Sequence, residues 1–200
     1  LPAFEKAYRL HADFVEFDVR PSSQGTYFLL HDGRLDRTTN GRGPIREASD
    51  EAIGALDAGG WFGAPFKDLR VPRLDAFLGS VPAGVSLYFD AKDIAPEALV
   101  ASLAKQGLIE RTVVYQSAEY LARLKQIDAR IRRMPPASST ADVDRVAESL
   151  RPYAVDTRWN ALSKAYIDHC HAAGIQVFAD APFFVDVKGY QRAIEWGIDV

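Results

Sequence analysis

Phe14-Val15-Glu16-Phe17-Asp18-Val19-Arg20, followed after Pro21-Ser22-Ser23-Gln24-Gly25 by Tyr27-Phe28-Leu29-Leu30-His31-Asp32, is the stretch on which the reading of this chain turns. Phe14, Glu16 and Asp18 alternate with Val15, Phe17 and Val19, the period of two that marks a strand. Glu16 and Asp18 therefore share a face. The residues that follow are polar and end in a glycine able to take positive φ, so the chain is expected to reverse into the 27–30 run as a hairpin. With the reversal centred near Gln24, Asp18 is expected roughly opposite His31.

Two carboxylates two residues apart on a strand, with a His-Asp pair at the matching end of the returning strand, suit a hard divalent cation beside a proton carrier. Carboxylate oxygens favour magnesium or calcium, and imidazole is the side chain most easily tuned to move a proton near neutral pH. On spacing alone, solvated carboxylates on a half-exposed strand and a turn histidine explain the pattern equally well. The composition fits one compact enzyme domain: 200 residues, 48% hydrophobic, 26% charged, with a formal net charge of -3. No basic excess is present to hold a nucleic acid. No apolar run reaches the roughly 18 residues of a membrane span, so a soluble chain is expected, in the cytoplasm or outside it. A single cysteine, Cys170, excludes an internal disulfide framework and reads as a semi-buried helical thiol.

Leu30-His31-Asp32-Gly33-Arg34-Leu35-Asp36-Arg37-Thr38-Thr39-Asn40-Gly41-Arg42-Gly43 resembles the H-D-x-x-L-D-R-T-T-N-G-x-G signature of the glycerophosphodiester phosphodiesterase family. Val15-Glu16-Phe17-Asp18-Val19 is similar to that family's E-L-D-V strand. Leu56-Asp57-Ala58-Gly59-Gly60-Trp61-Phe62 resembles its D-A-G-x-W-F stretch, and Val71-Pro72-Arg73-Leu74 its I-P-T-L helix start. The likeness is long, ordered and spread over several separate motifs.

Beyond the hairpin, strand-like and helix-like segments alternate. Strands are expected at 85–90, 112–116, 130–134, 153–156 and 175–179, and helices at 96–105, 120–127, 142–150, 163–173 and 187–196. Helices between short apolar strands imply βαβ units and a parallel sheet. The chain opens without Met at Leu1-Pro2-Ala3-Phe4, read as a first helical turn with Pro2 where a helix tolerates it. It stops at Gly197-Ile198-Asp199-Val200, the start of a further strand. In the resembling family the residues before this helix carry the first barrel strand with H-R-G and then E-N-T. The expected fold is therefore an α/β TIM (β/α)8 barrel, a single incomplete domain over 1–200. Its first strand and its last strand and helix are missing, and a β-hairpin excursion follows the Glu16 strand. A doubly wound sheet is disfavoured because no glycine-rich strand-to-helix turn of the dinucleotide or P-loop type occurs.

A barrel predicts functional groups at the C-terminal ends of strands. Asp90 and Lys92 close the 85–90 strand two residues apart, and match the family's E-x-K, where the acid completes the metal site and the lysine faces the phosphate. The acid here is Asp rather than Glu, one methylene shorter, so the metal is expected nearer this strand or bridged by water. Lys92 is a point charge suited to a phosphoryl oxygen. Gln116-Ser117 resembles the family's Q-S-F and reads as pocket lining. Phe178 stands where the family has a tryptophan and is expected to give an apolar wall for glycerol without the indole donor; Trp159 is a second candidate for that wall. His11 reads as a helix-end residue, and His169 and His171 point different ways from one helix. Arg130, Arg132 and Arg133 read as a solvated surface patch.

The resemblance implies metal-dependent hydrolysis of glycerophosphodiesters to glycerol 3-phosphate and an alcohol, a reaction of glycerol and lipid metabolism. Glu16, Asp18 and Asp90 would hold Mg2+ or Ca2+, His31 and Lys92 would be catalytic, and Asp32 would orient His31. In the family a second histidine, in the H-R-G, shares the acid–base work, so the chain as written is expected to be nearly inactive while its parent is active. Two alternatives remain at this point: a phospholipase D-like lyase releasing a cyclic phosphate, and a non-catalytic barrel that binds a polyol phosphate.

Overall fold

The computed structural model describes residues 1–182 and 184–200, and the chain parts into two compact units, Leu1–Thr112 and Val113–Val200. The first contains, in order, α1 (Pro2–Arg9), β1 (Phe14–Pro21), β2 (Tyr27–Leu29), α2 (Asp50–Ala55), α3 (Leu74–Leu78), β3 (Ser86–Asp90) and α4 (Pro96–Lys105). β1 is central. It runs antiparallel to β2, with Val19 opposite Leu29, and parallel to β3, with Asp18 opposite Asp90. Val15, Phe17 and Val19 are buried on one face while Glu16 is exposed on the other, so the alternation seen in the sequence is the pleat of the strand.

One register differs from expectation. The reversal is centred on Gln24, which puts Leu30 opposite Asp18, and the Leu30 amide donates to the Asp18 carbonyl at 3.2 Å. His31 therefore lies one residue past the facing position, where the chain has left the ladder. Gly25, at φ 80, makes the turn possible.

The core of this unit is aromatic. Phe77 on α3 is fully buried, with ring centroids 4.5 Å from Phe4 on α1 and 4.8 Å from Phe17 on β1; Phe17 in turn lies 4.5 Å from Phe89 on β3. Such tilted and edge-on pairs add about 0.5–1.5 kcal/mol each to the burial of the rings. The long excursion from β2 to α3 has its own smaller core of Phe28, Leu30, Leu35, Ile45, Ile53 and Val71. That core makes the excursion a structured wall.

The second unit carries β4 (Thr112–Tyr115), α5 (Ala118–Ile127), β5 (Arg132–Met134), α6 (Thr140–Leu150), β6 (Ala154–Arg158), α7 (Lys164–Ala172), β7 (Gln176–Asp180) and α8 (Val187–Glu195). β4 pairs with β5 and β6 with β7, both parallel, as strand-to-helix alternation predicts. Pro135 and Pro136 lack the amides a ladder needs, so β5 stops at Met134 and meets β6 through a single parallel bridge, Pro136 to Asp156. Ser117, Ser139 and Ser163 each cap a helix, accepting hydrogen bonds from the amides of Tyr120, Asp142 and Tyr166. Cys170, fully buried, belongs to the core of this unit with Val143, Val155, Ile167 and Val177.

The arginine patch is not one. Arg130 pairs with Asp128 at 2.6 Å, Arg132 lies over the Tyr153 ring at 4.7 Å, and Arg133 is buried and donates to the Ala129 and Ile131 carbonyls. Successive strand residues point to opposite faces, which separates what the sequence places together. His169 and His171 diverge as expected, bonding Asp144 and Asp199. Among the described residues no helix is long and apolar enough to cross a membrane. Phe77→Ala is expected to lower stability by about 3–5 kcal/mol, because it removes the ring that ties α3 to α1 and β1; urea unfolding should show a lower midpoint at unchanged slope.

Candidate active site

The parallel register of β1 and β3 brings Asp18 and Asp90 side by side, and the pleat adds Glu16 on the same face. Ligand oxygens of these three carboxylates lie within 4.8 Å of one another. Asp90, one methylene shorter than glutamate, still reaches the cluster because it sits one strand spacing from Asp18. Lys92 Nζ is 2.6 Å from Asp18 Oδ1 and 3.4 Å from Asp90 Oδ2, with only 22% of its side chain exposed. Despite that charge contact, Asp18 Oδ1 is buried without an aligned hydrogen bond. Burial raises the Asp90 carboxyl above its ordinary range and Asp18 adds to the rise, with Lys92 pulling the other way. Three crowded, partly desolvated carboxylates, with a single ammonium against two of them, form a donor set that fits a hard divalent cation.

His31 stands at the edge of this cluster with 63% of its side chain exposed, and its Nδ1 lies 2.8 Å from Asp32 Oδ1. Arg37 grips the same carboxylate in two places, Nε to Oδ2 at 2.6 Å and Nη2 to Oδ1 at 2.8 Å. These bonds from Arg37, with that from His31, hold the Asp32 carboxyl far below the usual carboxylate range. Asp32 is therefore an acceptor only. It takes the Nδ1 proton of His31 as a hydrogen bond and leaves Nε2 as the basic atom.

Glu16, Asp18 and His31 line one cavity of about 300 Å3 together with Thr38, Trp61, Arg70, Val71 and Pro72. The wall is built by stitching two stretches of sequence together. Asn40 donates its amide to the Asp57 carbonyl and accepts the Asp57 amide on Oδ1, at 3.0 and 2.9 Å. Asp57 Oδ1 accepts from the amides of Gly59 and Gly60, and Trp61 Nε1 donates to the Ala58 carbonyl at 3.0 Å. A side chain at Gly59 would place its Cβ 1.8 Å from the Phe66 carbonyl oxygen, so only glycine fits.

One substrate-wall expectation, Phe178, is corrected. Phe178 is 1% exposed, packed inside the second unit because it lies on the buried face of β7, and it presents no surface to a ligand. Trp159 packs against Tyr190, centroids 5.5 Å apart, and within the second unit lines a cavity of about 230 Å3 with Leu162, Gly189, Arg192 and Trp196. At the carboxylate cavity the aromatic surface is Trp61, 55% exposed. The Gln116 Oε1 accepts the Ser117 amide, and Ser117 caps α5.

The profile of the glycerophosphoryl diester phosphodiesterase family matches residues 1–199. The chain belongs to that family. A glycerophosphodiester phosphodiesterase of Bacillus subtilis is 27% identical over 98% of this chain and 75% of its own length. One from Caldanaerobacter subterraneus is 26% identical over 100% of this chain and 85% of its own. Among solved structures, the glycerophosphodiester phosphodiesterase of Agrobacterium tumefaciens superposes with a TM-score of 0.87 at 28% identity, over 99% of this chain and 86% of the other. A phosphodiesterase from Oleispira antarctica, solved with the product sn-glycerol-3-phosphate, gives 0.85 at 23% identity, over 99% and 83%.

The fold class is accordingly the TIM barrel of these phosphodiesterases, and the chain is an enzyme that hydrolyses glycerophosphodiesters. The contacts of Arg37 and Arg20 carry unequal signals in the sequence. Arg37 lies inside the quoted signature, but a loop has no periodicity from which its return to Asp32 can be read. Arg20 was visible as the next same-face position after Glu16 and Asp18.

Two outcomes are expected. Gly59→Ala should displace the 57–71 wall and raise KM while leaving the far-ultraviolet circular dichroism spectrum unchanged. Asp90→Asn should raise the melting temperature of chelator-treated protein at neutral pH. The folded carboxyl titrates above its unfolded value, so its ionisation opposes folding as pH rises through that window. The gain should disappear below the ordinary carboxylate range, which a series of melts against pH would show.

Proposed function

We propose that Glu16, Asp18 and Asp90 hold a divalent cation, Mg2+ or Ca2+, and that His31 and Lys92 act on a glycerophosphodiester bound in the adjoining cavity. The convergence of the three carboxylates within 4.8 Å carries this reading. A cation held there would supply positive charge to a phosphoryl oxygen. Lys92 sits at the rim of the same cluster, where its ammonium neutralises charge that grows on the non-bridging oxygens. His31 Nε2 takes the proton of the hydroxyl or water that attacks phosphorus or gives one to the alcohol oxygen whose bond to phosphorus breaks, while Asp32, pinned by Arg37, holds the ring in one tautomer and stabilises the imidazolium. Trp61 covers the carbon skeleton of the glycerol. The products are glycerol 3-phosphate and an alcohol, and the family match across both units supports a single catalytic domain.

Calorimetric titration should find one Mg2+ or Ca2+ site that Asp18→Asn weakens by at least about tenfold, and chelation should abolish hydrolysis of glycerophosphocholine. His31→Ala should lower kcat by about 10²–10⁴ with cation affinity unchanged. Unaltered turnover in that variant would remove His31 from the mechanism. Phosphorus NMR of the products should show glycerol 3-phosphate and no accumulating cyclic phosphate.

A further inference from the structure

Arg20 lies on β1 two residues beyond Asp18, on the face that carries Glu16 and Asp18. Its Nε and Nη2 both donate to the His31 carbonyl, at 3.1 and 2.9 Å, and its Nη1 donates to Asp93 Oδ2 at 2.5 Å. Only 18% of the side chain is exposed; the bond to Asp93 is part-buried, while the two to the His31 carbonyl lie at the surface. The two acceptors are placed tellingly. His31 is the second residue past β2, and Asp93 follows Lys92, just past β3.

The ladder between β1 and β2 gives out before His31; its final backbone bond runs from the Leu30 amide to the Asp18 carbonyl. Past β3 the chain turns through a bond from the Lys92 amide to the Asp90 carbonyl. Both strand exits then meet on one guanidinium. We propose that Arg20 is a positioning residue for the hydrolysis, setting the distance between the backbone that carries His31 and the backbone that carries Lys92. The inference rests on the roles given to those two residues above.

The guanidinium suits this task because it is planar and rigid, with donors on two edges that serve acceptors in different directions. A lysine keeps the charge but not that geometry. Arg46 also approaches Asp93, at 3.8 Å, but it is 68% exposed and too far for a hydrogen bond, so it cannot take over the bridge. An error of an ångström in such a spacing is enough to lower a rate by about 10²-fold without affecting binding.

The test compares Arg20→Lys and Asp93→Ala with the unaltered enzyme, in a form shown to hydrolyse glycerophosphocholine, by turnover of that substrate, calorimetric Ca2+ binding and thermal melting. Arg20→Lys is expected to lower kcat by about 10–100-fold, with KM and Ca2+ affinity within about threefold of the parent. Asp93→Ala, which cuts the other arm of the bridge, should lower kcat in the same way by a smaller factor. A wild-type kcat in Arg20→Lys would overturn the proposal, since charge alone would then suffice. So would a loss of rate that merely follows the fraction unfolded. If Arg20→Lys does not fold, Asp93→Ala decides, and an unchanged kcat there overturns it. His31→Ala and Lys92→Met run alongside: full activity in both would remove the roles on which the proposal rests, whereas their inactivity beside a fully active Arg20→Lys would sink the positioning role alone.

Discussion

Asp18 and Asp90 are forced together by the parallel ladder of β1 and β3, and two half-buried carboxylates one strand spacing apart repel each other. Neither strand can slip to relieve this. Moving by one residue would turn Val15, Phe17 and Val19 out of the core, and Phe17 is held between Phe77 and Phe89. The aromatic packing on one face thus enforces the electrostatic strain on the other. Lys92 relieves part of it, and a divalent cation would relieve more.

Around that pair, the first unit spends most of its irregular backbone on rigidity. The excursion between β2 and α3 is long for a connection without extended secondary structure, which marks such segments as functional. It is kept in shape by its own apolar cluster and by side-chain bonds that replace a ladder: Asn40 to Asp57, Thr39 Oγ1 to the Leu35 carbonyl, Asp57 to Gly59 and Gly60. Much of the D-R-T-T-N-G signature is therefore scaffolding. Of this stretch only Arg37 enters the proposed chemistry, through the Asp32 carboxylate beside His31, and the remainder holds the wall.

Periodicity made the regular elements legible. Strand alternation located β1, β3, β4, β6 and β7 to within a few residues, and Pro96 marked the start of α4, because local backbone preference and burial agree there. Glu16, Asp18 and Asp90 were legible as a cluster for the same reason, since two carry the period of one strand and the third closes another. Irregular segments were not. The side-chain grip of Arg37 on Asp32 and the bridge from Arg20 depend on where a chain goes after it leaves a ladder. Phe178 misled because an aromatic within a short strand can face either a ligand or the core, and β7 turns it to the core.

The Asn40-Gly41 pair has a bearing on how this protein ages. Asparagine followed by glycine is prone to deamidate when the glycine nitrogen attacks the side-chain carbonyl. Here that nitrogen donates to Thr39 Oγ1 at 2.9 Å, while the Asn40 carbonyl oxygen is taken by the Asp57 amide. Both reacting groups are tied down in different directions. Folding thereby shelters a bond sequence that would otherwise act as a molecular clock, and isoaspartate at position 40 becomes a chemical record of time spent with the cavity wall undone.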